Sequence, residues 1–168
     1  MQVTFKCVTD EYSELFHVLM KDYARELDEH QNRITEPTAL SKWTDNIISK
    51  SKNNAFRILK LCYISNKVIG FLIAKIDKSD DKGFRKDGYG YIMEFYVLPE
   101  YRRKGYGRQM YFHLEEFFKA NRVKKMYLTA DPIIGKPFWE SLGFISTGEI
   151  SPENNQAVYE KNITTISI

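Results

Sequence analysis

The segment "YRRKGYGR", residues 101–108, combines four cationic side chains with two glycines directly before a run of helical periodicity. Gly105 and Gly107 permit backbone conformations and close approaches that other side chains would block, so successive N–H groups can converge on one point. The start of a helix adds a partial positive charge there. Full charges come from Arg102, Arg103, Lys104 and Arg108. The segment therefore predicts a binding site for a phosphate or a pyrophosphate.

Two common phosphate-binding motifs do not fit this segment. A P-loop requires G-x-x-x-x-G-K-[ST], which is absent, and a dinucleotide-binding fingerprint needs a third glycine where Met110 stands. One alternative stays open: the cations solvate an exposed turn and the glycines serve only its geometry.

The composition indicates the class of protein. A chain of 168 residues with 43% hydrophobic content predicts one domain, residues 1–168. A net charge of +3, from interspersed residues, argues against a nucleic-acid partner. No apolar run suggests a leader or a membrane span, so we expect a cytoplasmic protein. Cys7 and Cys62 lack metal-ligand spacing, which predicts buried small side chains and no metal site.

The first half of the chain predicts a strand, two helices and a hairpin. "VTFKCV" alternates like a strand, and Asp10 is a candidate N-cap for the helix that follows. Pro37 predicts the first turn of a second helix. "AFRILKLCYI" and "KVIGFLIAKI" then read as antiparallel strands around "SNK". The apolar stripe of the first helix is predicted at Leu15, Leu19, Tyr23 and Leu27.

The second half predicts a strand, a helix, a strand, a short helix and a final hairpin. "YGYIMEFYVL" is a strand that stops at Pro99, and the helix "GRQMYFHLEEFFKANR" follows the glycines. Gly143 is the candidate C-cap of the short helix. The whole order predicts an α+β fold, with a mixed, mostly antiparallel sheet of about seven strands and helices on both faces.

The pattern Arg102-x-x-Gly105-x-Gly107, preceded by the strand "FYV" and Pro99, resembles motif A of the GNAT acyltransferase superfamily. "FWESLGF", residues 138–144, is similar to the later short helix of that family, which ends in Gly-Phe. The predicted order of elements agrees with the family along essentially the whole chain. The resemblance implies the GNAT fold (acyl-CoA N-acyltransferase fold), whose sheet opens between the fourth and fifth strands to hold the cofactor.

The resemblance also implies acetyl-CoA as co-substrate and direct transfer of its acetyl group to a primary amine, in a ternary complex. The implied pyrophosphate cradle is formed by Arg102, Arg103, Lys104, Gly105, Tyr106, Gly107 and Arg108. The implied contacts of the pantetheine arm are Phe95, Tyr96 and Val97. A backbone N–H of this strand would stabilise the oxyanion.

Glu94 is the candidate general base. An amine acceptor of pKa about 10.4 is mostly protonated at neutral pH, so a group must accept its proton before attack. Glu94 lies on the strand of the implied cofactor contacts, where many family members carry a carboxylate. The alternative is an ion pair between Glu94 and a cation on a neighbouring strand.

Trp139 stands where many relatives carry a tyrosine that acts as general acid on the CoA sulfur. An indole N–H does not deliver a proton, so Tyr106, Tyr127 or a water would take that role. A thiolate of pKa about 8.5 is a tolerable leaving group, and we expect activity to persist. We expect Trp139 to form a wall of the cofactor pocket. The family's frequent asparagine is also absent, with Asp131 near its place.

The acceptor is predicted to be a small-molecule amine or a protein amino group. A cationic amine with an apolar body would suit the residues near the end of the first helix. The candidate acceptor-binding residues are Tyr23, Glu26, His30 and Trp43. A solvated acidic helix end is the alternative.

Two other functions are weighed against the transferase. Trp139 is compatible with a non-catalytic acyl-CoA-binding module, and the tyrosines within "YRRKGYGR" are compatible with a nucleic-acid contact. The sequence is compatible with a homodimer but does not determine the oligomeric state.

Overall fold

Seven strands and four α-helices follow one another in the predicted order in the computed structural model, which describes residues 1–164. The strands are β1 (Val3–Cys7), β2 (Arg57–Ile64), β3 (Lys67–Ile76), β4 (Gly90–Val97), β5 (Lys125–Thr129), β6 (Ile145–Ile150) and β7 (Ala157–Asn162). The helices are α1 (Ser13–Gln31), α2 (Pro37–Ser51), α3 (Tyr106–Ala120) and α4 (Gly135–Ser141). Residues 165–168 of the predicted domain lie outside the described residues.

The strands form one mixed sheet in the order β1-β2-β3-β4-β5-β7-β6. β1 runs antiparallel to β2, and β7 runs antiparallel to both β5 and β6. β4 and β5 are parallel and pair at Gly90↔Met126 and Tyr91↔Tyr127. The predicted mixed, mostly antiparallel sheet of about seven strands is confirmed.

The chain divides into two compact units. The first comprises Met1–Ile73 and Glu94–Met110, and the second comprises Ala74–Met93 and, of the described chain, residues 111–164. The predicted single domain of residues 1–168 stays a prediction. Fully buried side chains of the first unit include Phe16, Met20, Leu61, Ile69, Phe71 and Leu72. Those of the second include Tyr111, Leu114, Phe118 and Tyr127.

The start of α1 differs from the prediction. Asp10 begins a short 3₁₀ turn, Asp10–Tyr12, and α1 follows from Ser13 without a side-chain cap. The Asp10 carboxylate instead accepts a hydrogen bond from Lys52 at 2.9 Å. The buried residues of α1 are Phe16, Leu19, Met20 and Ala24, so the stripe is turned slightly from the predicted one. Tyr23 consequently lies at the edge of the buried stripe and is half-buried.

The prediction for Cys7 is wrong. Its side chain is exposed, and the Lys60 ammonium lies 3.0 Å from its sulfur. Cys7 is the last residue of β1, which is an edge strand and has a neighbouring strand on one side only. Cys62, on β2, is fully buried as predicted, and burial raises the pKa of its thiol.

No helix among residues 1–164 combines the length and the apolar character that a membrane crossing requires.

Candidate functional site

The basic segment forms a tight turn between β4 and α3. A 3₁₀ turn, Pro99–Tyr101, follows β4, and the backbone then takes left-handed conformations at Arg103 (φ 62°) and Gly105 (φ 83°). Residues other than glycine rarely adopt this region, which explains the glycine at 105. Among residues 1–164, no atom outside its chain neighbours lies within 4 Å of the position that a Cβ of Gly105 would occupy. α3 begins at Tyr106, so Gly107 lies in its first turn.

This turn has the charge and the open space that an anion requires. Arg103, Lys104 and Arg108 are all exposed, and Gly105 between them is exposed as well. The first N–H groups of an α-helix have no acceptor within the helix, and the helix dipole favours an anion beside them. The turn therefore has the charge and the space that the predicted pyrophosphate site requires, and its contacts with a pyrophosphate stay predictions.

Arg102 is partly buried, whereas the other three cations of the turn are exposed. Its guanidinium donates to the Val97 carbonyl at 2.8 Å and to the Glu26 carboxylate at 2.7 Å, and it lies over the Tyr96 ring at 5.7 Å. These contacts tie the turn to the end of β4 and to α1. The predicted pyrophosphate contact of Arg102 stays a prediction, while its guanidinium supports the turn.

Arg102→Ala is expected to lower the free energy of unfolding by roughly 1.5–3 kcal/mol, the range for hydrogen bonds to charged groups. The Glu26 carboxylate, with 21% of its side chain exposed, would lose its cation, and the Val97 carbonyl would lose a donor. Chemical denaturation measures the change. The matched control, Arg103→Ala, removes an exposed neighbour and is expected to change stability by less than about 0.5 kcal/mol. Equal destabilisation by both variants would contradict the supporting role of Arg102.

Glu94 lies on β4 within the first unit and pairs with Tyr23 of α1. The Tyr23 hydroxyl donates a hydrogen bond to Oε2 of Glu94. Burial raises the pKa of Glu94 from 4.5 to about 7, and the hydrogen bond from Tyr23 and the charge of Arg33 partly oppose that rise. A carboxyl group with this pKa exchanges its proton near neutral pH, as a general base requires. The partner that the described residues give Glu94 is a hydroxyl of α1, and the alternative of an ion pair with a neighbouring strand stays open.

β4, which carries the three predicted contacts of the pantetheine arm, lies next to β3 in the sheet. The Leu98 N–H donates to the Ile69 carbonyl at 2.8 Å, and Gly70 lies against the Tyr96 carbonyl. Tyr96 is buried, which raises the pKa of its phenol to about 12. Phe95 and Val97 are half-buried. Their predicted contacts with the pantetheine arm stay predictions.

The loop between α1 and α2 is ordered by Asp28. Its carboxylate accepts hydrogen bonds from the Thr35 N–H and hydroxyl, each at 2.7 Å, and from Arg33 Nε at 3.1 Å. The Thr35 bonds hold the pKa of Asp28 below its ordinary value. Asp28 thereby fixes Arg33, whose charge acts on Glu94. No pattern in the sequence indicated this role of Arg33.

A cavity of about 640 Å³ lies beside this loop. Its lining includes three cationic side chains, Lys21, Arg25 and Arg33, and the acidic Asp28 and Glu29. Apolar surface comes from Ile34, Pro37 and Leu40.

The described residues that line the cavity include none of the four predicted acceptor residues. Tyr23 contacts Glu94, and Glu26 contacts Arg102. His30 and Trp43 are half-buried on α1 and α2. The predicted acceptor contacts of all four stay predictions.

Trp139 lies in an aromatic cluster of the second unit. It is 7% exposed, and its ring makes edge contacts with Phe138, Phe144 and Tyr111 at centroid distances of 4.9, 5.4 and 6.4 Å. Packing within this cluster is sufficient to explain why a large aromatic residue occupies position 139. The predicted contact of Trp139 with the cofactor stays a prediction.

The two tyrosines considered as replacement acids are both buried. The Tyr127 hydroxyl donates to buried Asp77, and burial together with this partner raises the pKa of Tyr127. Asp131 uses its carboxylate to accept from the Ile133 and Ile134 N–H groups at 2.9 and 3.0 Å. In the described part of the chain, no group of three or more His, Cys, Asp or Glu side chains could hold a metal ion.

A family model described as the acetyltransferase (GNAT) family matches residues 12–144, well over half of the chain. No curated protein matched the sequence. The match includes α1, the turn before α3 and the segment ending in Gly-Phe.

Several solved structures share the fold. PaiA N-acetyltransferase from Thermoplasma acidophilum, in complex with coenzyme A, has 18% identity and a TM-score of 0.70, over 96% of this chain and 99% of its own. Arabidopsis thaliana Naa50 in complex with the bisubstrate analogue CoA-Ac-MVNAL has 20% identity and a TM-score of 0.63, with coverage of 96% and 99%. The ribosomal-protein-S18-alanine N-acetyltransferase from Escherichia coli has 14% identity and a TM-score of 0.63, with coverage of 99% and 97%.

The fold and the family agree with what the basic turn indicates. The predicted enzyme class, an acyltransferase, and acetyl-CoA as its co-substrate are both confirmed. The family model matches most of this chain, and the matched residues include the whole basic turn. The chain therefore belongs to the acetyltransferase (GNAT) family.

Proposed function

We propose that this enzyme transfers the acetyl group of acetyl-CoA directly to a primary amine, with Glu94 as the general base. The observation that carries the proposal is the pairing of Glu94 with Tyr23 in the unit that also contains the basic turn. The raised pKa of Glu94, about 7, supports the role. Family membership favours this enzyme over a non-catalytic acyl-CoA-binding module.

The proposed mechanism assigns the proton to Glu94. Acetyl-CoA supplies an activated acetyl group bound to a good leaving group. Glu94 accepts the proton that the amine nitrogen gives up, either directly or through a water, so that the nitrogen lone pair can attack the thioester carbonyl; the C–N bond would form as the C–S bond breaks and CoA leaves as a thiolate. A base of pKa about 7 is half ionised at neutral pH, whereas an unperturbed glutamate would be a much weaker proton acceptor.

The basic turn is proposed to hold the donor. Exposed Arg103, Lys104 and Arg108 lie close to Gly105 in the sequence, and the N-terminus of α3 follows Gly105 directly. Backbone N–H groups position the pyrophosphate there, and the side-chain cations add charge-assisted contacts. The same groups orient the donor without taking part in proton transfer.

The acceptor is proposed to be a primary amine of a small molecule or of a protein. The bisubstrate complex of Naa50 and the ribosomal-protein-alanine enzyme support amine acceptors within this fold. The cavity beside the α1–α2 loop, which shares Arg33 with the surroundings of Glu94, is the proposed place for the body of the acceptor. Cytoplasmic localisation and a homodimer stay predictions.

Thiol release from acetyl-CoA tests the proposal. The protein is incubated with acetyl-CoA and a panel of small amines, amino acids, peptides with free N-termini and lysine peptides. We expect thiol release that depends on one class of acceptor. The matched control is the same acceptor with its amine dimethylated, which cannot form a stable amide. Absence of acceptor-dependent release across the panel, with acetyl-CoA binding shown by calorimetry, would count against the proposed transfer.

A further inference from the structure

A phenol from α1 contacts the carboxylate of β4 that we propose as the base. The Tyr23 hydroxyl donates to Oε2 of Glu94, which leaves Oε1 outside this hydrogen bond. A carboxylate has two oxygens that can accept protons. The protein therefore holds one carboxylate oxygen, and this hydrogen bond leaves the other oxygen unused.

The ring of Tyr23 is fixed by aromatic neighbours on two strands. It meets Phe71 of β3 edge-on, with centroids 5.6 Å apart, and Tyr96 of β4 at 5.3 Å. Phe71 is fully buried and packs in turn against Phe16 at 5.3 Å. Such contacts restrict both side-chain torsions of a tyrosine, so the direction of its hydroxyl is set by the core.

We propose that Tyr23 is a positioning residue for Glu94, holding the carboxylate in one orientation and favouring its ionised form during acetyl transfer. This inference rests on the proposed role of Glu94 as the base. It assigns Tyr23 a part in proton transfer that differs from the acceptor contact predicted from the sequence.

The groups around Glu94 explain why a neutral donor suits this position. Burial raises the pKa of Glu94, while the Tyr23 hydrogen bond and the Arg33 charge lower it, and the result is about 7. A phenol stabilises the carboxylate by a hydrogen bond alone. A cation in the same place would form an ion pair, lower the pKa of Glu94 further and make the carboxylate a weaker base. Phe71, on the strand next to β4, contributes no charge to this site.

Tyr23→Phe keeps the ring and removes the hydroxyl. We expect the pKa of Glu94 to rise by about one to two units, the size expected for a lost hydrogen bond to a charged group. The acidic limb of the kcat profile should shift by the same amount, so kcat should fall about 5- to 50-fold at pH 7 and recover at high pH. A residue that only binds the acceptor would raise KM and leave this limb in place.

Two measurements separate this inference from the proposed function. Infrared titration of the carboxyl group, assigned by its loss in Glu94→Gln, reports the pKa of Glu94 without any substrate. An unchanged pKa in Tyr23→Phe would overturn the positioning role while leaving Glu94 as the base. A shifted pKa with an unshifted kcat limb would instead overturn the base role, and the catalytic part of Tyr23 with it.

Tyr63→Phe is the matched control, because it removes the hydroxyl of a buried tyrosine on β2 in the same unit. It is expected to leave both the carboxyl titration and the kcat profile unchanged. If Tyr23→Phe does not fold, 3-fluorotyrosine at position 23 provides the second variant. Its more acidic hydroxyl should lower the pKa of Glu94 and move the acidic limb of kcat to lower pH, and a shift in the opposite direction would overturn the proposal.

Discussion

Glu94→Gln is expected to lower kcat by about 10²- to 10⁴-fold at pH 8, the range that a general base contributes. The substitution keeps the shape of the side chain and an oxygen that can accept from Tyr23, but it removes the group that takes the amine proton. Affinity for acetyl-CoA should stay within about twofold, since the basic turn that we propose to hold the donor is unchanged. Thiol release measures kcat, and calorimetry measures donor affinity.

The pH dependence makes this expectation sharper. In the parent protein kcat should rise through a pKa near 7, because Glu94 accepts a proton only in its ionised form. The variant should lack this limb. Glu14→Gln, which removes an exposed carboxylate in the first turn of α1, is the control and should keep both the rate and the limb. A Glu94→Gln enzyme with parental kcat at pH 8 would exclude Glu94 as the base.

Glu94→Gln should also gain stability relative to the parent protein as the pH rises. Between about pH 4.5 and pH 7, the Glu94 carboxyl holds a proton in the folded state but not in the unfolded state. The folded state then binds more protons, so this group lowers stability as the pH rises through that window. Because glutamine does not titrate, the gain in free energy of unfolding over the parent should be larger at pH 8 than at pH 5. Urea denaturation at both pH values measures it.

Local signals made the elements of the fold predictable from the sequence. Pro37 begins α2, Pro99 lies two residues after the end of β4, and Gly143 takes a left-handed conformation (φ 93°) two residues after the end of α4. Each of these residues acts through its own backbone torsions, so its effect can be recognised from a few neighbouring positions of the sequence. The basic turn was predictable for the same reason.

The partners within the site could not be predicted, because they come from distant parts of the chain. Glu94 and Tyr23 are separated by 71 positions, and Arg102 and Glu26 by 76. Their pairing depends on how α1 packs, and the buried stripe of α1 is turned slightly from the one that periodicity indicates. The periodicity of α1 alone therefore does not indicate that Tyr23 contacts a carboxylate of β4.

Gly70→Ala is expected to lower the free energy of unfolding by about 3 kcal/mol or more, at or above the usual range for overpacking. A Cβ at position 70 would lie 1.9 Å from the Tyr96 carbonyl oxygen and 3.1 Å from the Cα of Val97. These are backbone atoms of β4, so no side-chain rotation relieves the overlap, and the strand itself must move. Urea denaturation measures the loss of stability.

The displacement should also reach the donor site, because Tyr96 and Val97 of β4 are predicted to contact the pantetheine arm of acetyl-CoA. We expect weaker acetyl-CoA binding by the folded variant, measured by calorimetry. Gly135→Ala is the matched control: its Cβ would lie 3.6 Å from the Trp139 ring, an ordinary contact, so stability should be unchanged or rise by up to about 1 kcal/mol. A Gly70→Ala protein that unfolds at the parental urea concentration would show that β4 does not need a glycine beside it, and that the strand carrying Glu94 is placed by other contacts.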